Sequence, residues 1–368
     1  MSKIMLISPK DNNFYNFRSE LILKLHDMGN EVILVCPYGN KIDFFTERGC
    51  RFIDINMDRR GTSISHDLKL IRDYRRILKT EKPNVVLTYT SKPSIYAGFV
   101  CGLMKIPYIV NNAGLMECQG ALDKLMKVLY VIGWSKASCM MYQNTMERDV
   151  IQNLLKGKTH YRDIPGSGVN LEAFPYTEYP ENDDVIVFNY VARIVKIKGI
   201  DEFLECAKTI KRKYNNTRFV IYGDFDDDEY REKITSFQNE GIVEYGGVQR
   251  DMKPFIKSAH AVIHPSYYEG MTNVVLEHSS MGRPCIGSDI AGVKEAIEDG
   301  KTGYLFDAKD VDSMVEAVTK FLKLSHQEKV QMGKNARSKM EREFSRDTVT
   351  QIYCEEIAAI LNNFKAND

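Results

Sequence analysis

Short apolar runs alternate with helical stretches along almost the whole of this 368-residue chain. The first run is Lys3–Ser8 and the last clear one is Pro284–Gly287. Because neighbouring parallel strands need a crossover that is usually a helix, this alternation predicts parallel sheets with helices on both faces. The fold class that we expect is therefore α/β, with doubly wound, Rossmann-like sheets.

The individual elements follow from the periodicity of the apolar residues. Strands are predicted at Lys3–Ser8, Glu31–Val35, Arg51–Ile55, Asn84–Thr88, Tyr108–Asn111, Ser138–Tyr142, Val185–Val191, Arg218–Tyr222, Ile242–Tyr245, Ala261–His264 and Pro284–Gly287. Helices are predicted at Phe14–Met28, Ile42–Arg48, Ser63–Lys79, Ser94–Met104, Leu122–Ser135, Ile200–Tyr214, Asn273–Met281 and from about Val311 to the end.

The alternation is interrupted once, between Asp163 and Asp184. This segment holds two prolines and two glycines within Asp163–Pro175, followed by the polar stretch Thr177–Asp184. Turn residues and polarity together indicate a linker. We therefore predict one domain over residues 1–168 and a second over 169–345, with a last helix at about 346–368 that packs back on the first domain.

The distribution of charged residues along the chain indicates what kind of partner each half can bind. Residues 1–168 carry 24 Lys and Arg against 16 Asp and Glu, a net charge of +8, and the remainder carries −8. This asymmetry suggests an anionic partner for the first half, although uneven surface charge explains it equally well. No compact basic run or nucleic-acid motif is present, so nucleic acid is not expected.

The eight cysteines show no zinc-ligand spacing, which is typical of reduced thiols in a cytoplasmic protein. No stretch approaches the roughly 20 apolar residues of a membrane span, so any membrane contact is expected to be peripheral, at the inner face of the plasma membrane.

The segment from Glu269 to Glu277 holds the first group of candidate functional residues. It passes from a strand end through a loop into a helix, which Thr272 or Asn273 can cap. Both carboxylates could reach one ligand over the helix N-terminus, where unpaired N–H groups favour phosphate and sugar hydroxyls. Taken alone, this spacing is better explained by a surface Glu and a helix-face Glu that share no ligand.

Arg193 and Lys198 form a second group, directly after the first strand of the second domain. Cations at the carboxyl end of a strand can stabilise the charge that develops on a departing diphosphate. Basic loop residues are more often simply solvated, so this group alone is also weak evidence.

Together the two groups resemble a known family. Arg193, Lys198-Gly199, Glu269-Gly270 and Glu277 are similar to the signature of the retaining glycosyltransferases of family four, which have the GT-B fold of two doubly wound domains facing across a cleft. Supporting similarities lie in Gly168–Asn170 with Phe174, in Ile221–Asp224 and in Tyr245–Asp251. Glu269–Glu277 and Phe14–Arg18 resemble bacterial transferases that build capsule, O-antigen and other lipid-linked saccharides.

The resemblance implies transfer of a hexose or N-acetylhexosamine from a nucleotide diphosphate, UDP by expectation, to a saccharide acceptor carried on polyprenyl diphosphate. It assigns the acceptor to the first domain and the donor to the second. It implies same-face attack without a protein nucleophile, and neither a metal nor another cofactor.

The resemblance also implies roles for single residues. Glu269 would hold the sugar, Arg193 and Lys198 would neutralise the diphosphate, and Glu277 would bind the ribose. Further donor-binding residues would be Gly270, Met271, Thr272, Asn273, Gly223, Gly247 and Val248. Acceptor-side candidates are Asn13, Arg18, Lys92 and Gly114. Two departures affect the acceptor side: Asn12-Asn13 stands where many relatives have two glycines, and Val110–Met116 offers no catalytic histidine.

Several other features have competing interpretations. Asp224–Asp228 resembles a metal-binding D-x-D motif, but an acidic first helix turn explains it better. Lys69, Arg72, Arg76 and Lys79 share one helix face, which could meet an anionic membrane or remain solvated. Helix Leu122–Ser135 could lie at a membrane interface, although core packing is the expected use of its apolar residues Leu125, Val128, Leu129, Ile132 and Trp134, beside Lys124, Lys127 and Lys136.

A dinucleotide dehydrogenase is disfavoured because no G-x-G-x-x-G follows the first strand. A nucleotide-sugar 2-epimerase and a non-catalytic nucleotide-sugar-binding protein remain as alternatives.

Overall fold

The computed structural model describes residues 1–57, 64–111 and 120–365. The chain divides into two compact units. Unit 1 contains Met1–Ser167 together with Asp347–Asp368, and unit 2 contains Gly168–Arg346.

Within the described residues, unit 1 is built on one parallel sheet of seven strands. The strands are β1 (Lys3–Ile7), β2 (Glu31–Cys36), β3 (Arg51–Asp54), β4 (Val85–Tyr89), β5 (Tyr108–Asn111), β6 (Cys139–Tyr142) and β7 (Tyr161–Asp163). The helices between and after them are α1 (Asp11–Phe17), α2 (Ser19–Asp27), α3 (Asp43–Thr46), α4 (Ile64–Glu81), α5 (Ser91–Met104), α6 (Ala121–Trp134) and α7 (Thr145–Leu154). The strand order is β3-β2-β1-β4-β5-β6-β7.

Unit 2 repeats this plan with a parallel sheet of six strands. The strands are β8 (Ile186–Val191), β9 (Thr217–Tyr222), β10 (Glu244–Gly247), β11 (Ala261–His264), β12 (Cys285–Ser288) and β13 (Gly303–Phe306). Its helices are α8 (Ile200–Lys211), α9 (Glu229–Asn239), α10 (Lys253–Ser258), α11 (Asn273–Ser280), α12 (Val311–Lys323) and α13 (His326–Glu343). The order β10-β9-β8-β11-β12-β13 reverses direction between β8 and β11. These two sheets confirm the predicted fold class of two doubly wound α/β domains.

Each sheet is apolar on both faces because alternate residues of a strand point to opposite sides. In β1, Ile4 and Leu6 join one hydrophobic core while Met5 and Ile7 join the other. In β11, Ala261 and Ile263 pack on one side of the second sheet and Val262 packs on the other. Continuous apolar strands of this kind are stable only when helices cover both faces.

A final helix, α14 (Arg346–Lys365), returns the chain to unit 1. Val349, Tyr353, Ile357 and Ile360 recur at helical spacing and are buried in the same core as Ile4 and Leu6. The last helix therefore completes one face of the first sheet.

The structure corrects several predicted elements. Helix Phe14–Met28 is two helices, α1 and α2, which meet at Arg18 (φ −139°). Ser19 there donates its hydroxyl to the carbonyl of Tyr15, a bond that competes with helical geometry and favours bending. The stretch after Val311 is three helices, because breaks at Leu324–Ser325 and Phe344–Ser345 separate them. The sequence analysis did not identify α7, β7, α9, α10 or β13, which are short or mostly polar.

Helices α5 and α6 make a close contact at Gly133, and this contact can be tested. A Cβ at Gly133 would lie 2.6 Å from Cα of Ile95, whereas one at Gly102 would meet only flexible methylenes of Lys136, at 3.1 Å. We expect Gly133→Ala to lower the free energy of unfolding by about 1–3 kcal/mol through overpacking. The urea midpoint measures this change.

Gly102→Ala is the matched control, because it also lies in a helix. It should be neutral or stabilising by up to about 1 kcal/mol, since Ala favours helix over Gly. Equal midpoints for the two variants would contradict the packing argument.

Candidate active site

Lys198 and Glu269 follow the two strands at which the order of the second sheet reverses. Lys198 lies beyond the end of β8, and Glu269 lies in the loop after β11. In open α/β sheets this reversal leaves a crevice at the carboxyl ends of the strands, where ligands bind. The two predicted site residues therefore lie where this fold class places its ligands.

The loop after β8 is fixed by its backbone. A 3₁₀ turn, Lys196–Lys198, ends at Gly199, whose φ of +69° favours glycine. A Cβ at Gly199 would also lie 2.1 Å from the carbonyl oxygen of Pro265. The hydroxyl of Tyr190 donates to the carbonyl of Lys198 at 3.1 Å. These contacts hold the Lys198 backbone against the β11 loop.

The carboxylate of Glu269 is the centre of a buried polar cluster. Lys198 Nζ lies 2.5 Å from its Oε1, and the Ser266 hydroxyl donates to the same oxygen at 2.8 Å. His264 Nε2 lies 3.1 Å from it. All three contacts are with Oε1. In the described part of the chain no hydrogen bond to Oε2 is found, so this oxygen can accept one from a ligand such as a sugar hydroxyl.

The protonation state of Glu269 follows from this cluster. Burial by itself raises the pKa of the carboxyl, since the side chain is only 15% exposed. The hydrogen bond from His264 and the charge of Lys198 outweigh burial and lower the pKa to about 2. Glu269 is therefore ionised at any working pH and can only accept hydrogen bonds.

The loop that carries Glu269 leads directly into helix α11. Thr272 is the N-cap, and its side chain accepts a hydrogen bond from the N–H of Val275. The N–H of Thr272 donates to the carbonyl of Gly292 at 3.0 Å. The predicted donor-binding residues Gly270, Met271, Thr272 and Asn273 thus form a fixed turn at the positive end of a helix dipole. Met271 and Thr272 are buried.

Glu277 lies one turn inside α11 and is partly buried. Among residues 1–57, 64–111 and 120–365, no side chain donates a hydrogen bond to its carboxylate. Burial raises its pKa to about 7, and the charge of Arg346 opposes this shift only in part. The two glutamates of this segment therefore have opposite environments. The charge of Glu269 is compensated by its neighbours, whereas the carboxylate of Glu277 remains available to accept hydrogen bonds.

Arg193 and the glycine turns occupy the neighbouring part of the same sheet edge. The Arg193 side chain is more than half exposed and pairs with Asp226. Gly223 donates its N–H to the carbonyl of Gly247 at 3.0 Å, which brings these two predicted residues together. Val248, beside them, is 64% exposed. The guanidinium of Arg193 and the glycine turns at Gly223 and Gly247 therefore lie at the carboxyl ends of β8, β9 and β10.

The acidic loop at Asp224–Asp228 has structural partners. Asp226 pairs with Arg193, and the carboxylate of Asp228 accepts from Arg231. In the part of the chain that the structure describes, the group of side chains spaced to hold a metal lies instead in unit 1.

Three residues that contribute to this site were not predicted from the sequence as site residues. His264 and Ser266 contact Glu269, and the H-P-S segment before the loop was the available signal. The charge of Arg346, the last residue of unit 2 in the sequence, lowers the pKa of Glu277, and no local pattern could have identified it.

The acceptor-side candidates of unit 1 differ in their surroundings. Asn13 is half-buried on α1, after β1, and Lys92 begins α5, after β4, with its Nζ 2.9 Å from Asp67. Arg18 is only 5% exposed, and its guanidinium lies over the rings of Tyr89 and Tyr353. Its contacts are those of a packing residue, and an acceptor contact stays a prediction. Gly114 lies outside the described residues.

The raised pKa of Glu277 predicts a pH-dependent stability. The folded-state pKa of about 7 exceeds the ordinary 4.5. The contribution of Glu277 to the stability of the fold is therefore complete below pH 4.5 and is lost as the pH rises through 7. Glu277→Gln should remove this loss. Above pH 7 the variant should exceed the native protein by roughly 1–3 kcal/mol in free energy of unfolding.

Urea unfolding at pH 5 and pH 8 measures this difference. Glu205→Gln, at an exposed position of α8, is the control and should follow the native protein at both pH values. A Glu277→Gln variant that loses stability at pH 8 would refute the assigned environment.

Two protein-family models match this chain. The model of the glycosyl transferases group 1 matches residues 177–339, and the glycosyl transferase 4-like model matches residues 3–144. The first match spans nearly all of unit 2 and the second most of unit 1.

Curated relatives extend over most of the chain. An N,N'-diacetylbacillosaminyl-diphospho-undecaprenol alpha-1,3-N-acetylgalactosaminyltransferase of Campylobacter jejuni is 24% identical, over 91% of this chain and 93% of the relative. A UDP-Gal:alpha-D-GlcNAc-diphosphoundecaprenol alpha-1,3-galactosyltransferase of Escherichia coli is 25% identical, over 79% of each.

Solved structures show the same fold. A glycosyltransferase from Rickettsia africae superposes with a TM-score of 0.80 at 15% identity, covering 98% of this chain and 99% of that one. Anabaena Alr3699/HepE, solved in complex with UDP and glucose, gives 0.76 at 14% identity, covering 97% and 100%. These neighbours have the GT-B fold. Since the glycosyl transferase 4-like model matches unit 1, the glycosyl transferases group 1 model matches unit 2 and both sheets have this architecture, the chain belongs to the glycosyltransferases that combine these two domains.

Proposed function

We propose that this protein is a retaining glycosyltransferase that moves a hexose or N-acetylhexosamine from a UDP-sugar to a saccharide on polyprenyl diphosphate, in the synthesis of bacterial surface polysaccharide. The observation that carries this proposal is the ion pair of Lys198 with Glu269 at the reversal of the second sheet. It puts a cation and an ionised hydrogen-bond acceptor within reach of one ligand.

The chemistry of the cluster suits a nucleotide sugar. An ionised Glu269 accepts hydrogen bonds from sugar hydroxyls through Oε2. Lys198 and the exposed guanidinium of Arg193 supply positive charge for the diphosphate, so the proposed transfer uses no metal. Glu277, whose carboxylate lacks a donor among the described residues, suits the paired hydroxyls of a ribose.

The proposed reaction breaks the bond between the anomeric carbon and the diphosphate oxygen. The acceptor hydroxyl attacks from the face that the leaving group vacates, and its proton passes to the departing phosphate. The anomeric configuration is therefore retained. Glu269 positions the ring in this scheme and forms no covalent bond, unlike the nucleophile of a retaining glycosidase.

The choice of UDP and of a lipid-linked acceptor rests on relatives. The names of the Campylobacter and Escherichia relatives specify undecaprenyl diphosphate acceptors, and the latter specifies UDP-galactose. The Anabaena neighbour was solved with UDP. We extend both properties to this chain as part of the proposal.

An acceptor that is anchored in a membrane requires the enzyme to reach the bilayer surface. Among the described residues, no helix is long and apolar enough to cross a membrane. The apolar residues of helix α6 were expected to pack in the core, and the structure corrects this expectation in part. Trp134 is buried, whereas Leu122, Leu125, Val128 and Ile132 are about half exposed. We propose that this exposed stripe lies in the membrane interface.

Basic residues accompany the α6 stripe. Lys124, Lys127 and Lys136 are exposed, although Lys127 pairs with Asp123 at 2.8 Å. On α4, Lys69, Arg72, Arg76 and Lys79 are also exposed. Cations beside an apolar stripe favour binding to anionic headgroups. The exposed residues of α4 and α6 therefore have the composition of a peripheral membrane-binding surface.

The catalytic proposal predicts a sharp difference between two neighbouring lysines. Lys198→Ala should lower kcat/KM by about 10²–10³-fold, the scale for removing one group that stabilises developing charge. Lys196→Ala, in the same 3₁₀ turn but exposed, should leave activity within about twofold. The measurement is UDP release from a panel of UDP- and GDP-sugars, with a polyprenyl-diphosphate saccharide.

The same assay without acceptor separates the alternatives. A 2-epimerase would convert the UDP-sugar with no acceptor present, and a binding protein would convert nothing. If every donor and acceptor pair is inert, or if Lys198→Ala retains full activity, the proposed function is wrong.

The membrane proposal predicts that Leu125→Ser combined with Ile132→Ser lowers binding to phosphatidylglycerol vesicles at least about tenfold, because two half-exposed apolar side chains lose their burial. Vesicle flotation measures the bound fraction. Val185→Ser, at an exposed apolar position of unit 2, is the control and should bind as the native protein does. Equal flotation of all three proteins would exclude α6 as the contact.

A further inference from the structure

Three potential metal ligands from distant parts of the chain meet within unit 1. Cys139 is the first residue of β6, His160 directly precedes β7, and Glu356 lies on α14. Their sulfur, nitrogen and oxygen ligand atoms all lie within 4.8 Å of one another. His160 Nε2 is 3.1 Å from Glu356 Oε1, close to the separation of two ligands that share one tetrahedral ion.

The cluster is held by the surrounding fold. Cys139 is fully buried and Glu356 is 5% exposed. The N–H of Met140 donates to the carbonyl of His160 at 2.9 Å, which fixes the His160 backbone beside β6. A cavity of about 630 Å³, lined in part by Ser138, His160 and Glu356, gives access from one side. Cys139 therefore belongs to the apolar core of unit 1, and its sulfur lies next to the two ligand groups, His160 and Glu356, that line the cavity.

The carboxylate of Glu356 divides its two oxygens between different partners. Oε1 faces His160, whereas Oε2 lies 3.7 Å from Arg162 Nη1. Arg162 also contacts Glu355 at 3.4 Å. A cation can thus bind at Oε1 of Glu356 without displacing Arg162, because the charge of Arg162 is balanced by Glu355. A thiolate and a carboxylate together match the charge of a divalent cation.

We propose that Cys139, His160 and Glu356 bind a thiophilic divalent cation, Zn²⁺ by preference, which ties α14 to β6 and β7. One sulfur, one imidazole and one carboxylate select Zn²⁺ over Mg²⁺ or Ca²⁺, which prefer oxygen ligands. Three protein ligands leave a fourth position that opens toward the cavity.

This site is separate from the proposed transfer reaction. Cys139 and His160 lie at the starts of their strands, whereas Asn13 and Lys92 follow the ends of β1 and β4, at the opposite edge of the same sheet. The ion would therefore stabilise unit 1 and take no part in chemistry, and its test does not depend on activity.

Cobalt provides a direct probe, because a Co²⁺–thiolate bond gives a near-ultraviolet charge-transfer band. We expect untagged, chelator-treated protein to develop this band and to saturate at one Co²⁺ per chain, with Zn²⁺ displacing it. Cys139→Ala should abolish the band, and Cys206→Ala, at a buried cysteine of unit 2, should retain it. His160→Gln should weaken binding at least tenfold, and its exposed position makes misfolding an inadequate explanation.

Thermal unfolding tests the tie to α14. A chelator should lower the midpoint of the native protein and leave that of Cys139→Ala unchanged. Absence of the band at one equivalent, or its persistence in Cys139→Ala, would overturn the site. A band without a chelator-sensitive midpoint would overturn its structural role.

Discussion

The ionised carboxylate of Glu269 can stay out of water only because other groups compensate its charge. A buried carboxylate without partners costs several kcal/mol, and removing one partner of a buried pair typically costs 3–5 kcal/mol. Here the partners come from two different loops: Lys198 follows β8, while His264 and Ser266 belong to the β11 loop. The ion pair therefore links the stability of unit 2 to the geometry of its ligand edge, because neither loop can move without exposing or isolating a charge.

A second buried charge fixes the start of unit 2. The guanidinium of Arg283 is fully buried and donates to carbonyls of Thr177, Glu178, Lys257 and Met281. Burial lowers its pKa to about 10, so it remains charged near neutral pH. Most of its partners are backbone oxygens from three separate segments, and the Thr177 hydroxyl accepts a further hydrogen bond at 3.0 Å. The stretch expected to be a linker is therefore anchored to the second sheet over Thr177 and Glu178.

The sequence predicted what depends on local pattern. Apolar runs such as Val185–Val191 and Ala261–His264 located strands β8 and β11, because a strand covered on both faces must be apolar throughout. Arg193, Lys198 and Glu269 lie in the loops after such runs, and their resemblance to a family signature made them candidates. The order of the strands was not predictable from these runs, and it is the order that places Lys198 beside Glu269.

Features that depend on distant residues could not be predicted from the sequence. The apolar residues of α6 have helical spacing, yet periodicity alone cannot show that Trp134 faces the core while Leu125 faces outward. Likewise, the charge of Arg346 acts on Glu277 although the two residues are far apart in the sequence, and Cys139 meets Glu356 only because α14 returns to the first sheet. The spacing of residues in the sequence gives no signal for either of these two pairs.

The return of α14 to unit 1 has a consequence for the order of synthesis. Tyr353, Ile357 and Ile360 complete a core whose other members, such as Ile4 and Leu34, leave the ribosome first. Domains generally fold as they emerge, beginning with the N-terminal one. In this chain unit 2 can complete its own core beforehand, whereas the first sheet keeps the part of one apolar face that α14 covers exposed until translation has passed residue 360. The part of the protein that is made first is thus the last to be finished, and during that interval a chaperone or another chain can compete with α14 for the same surface.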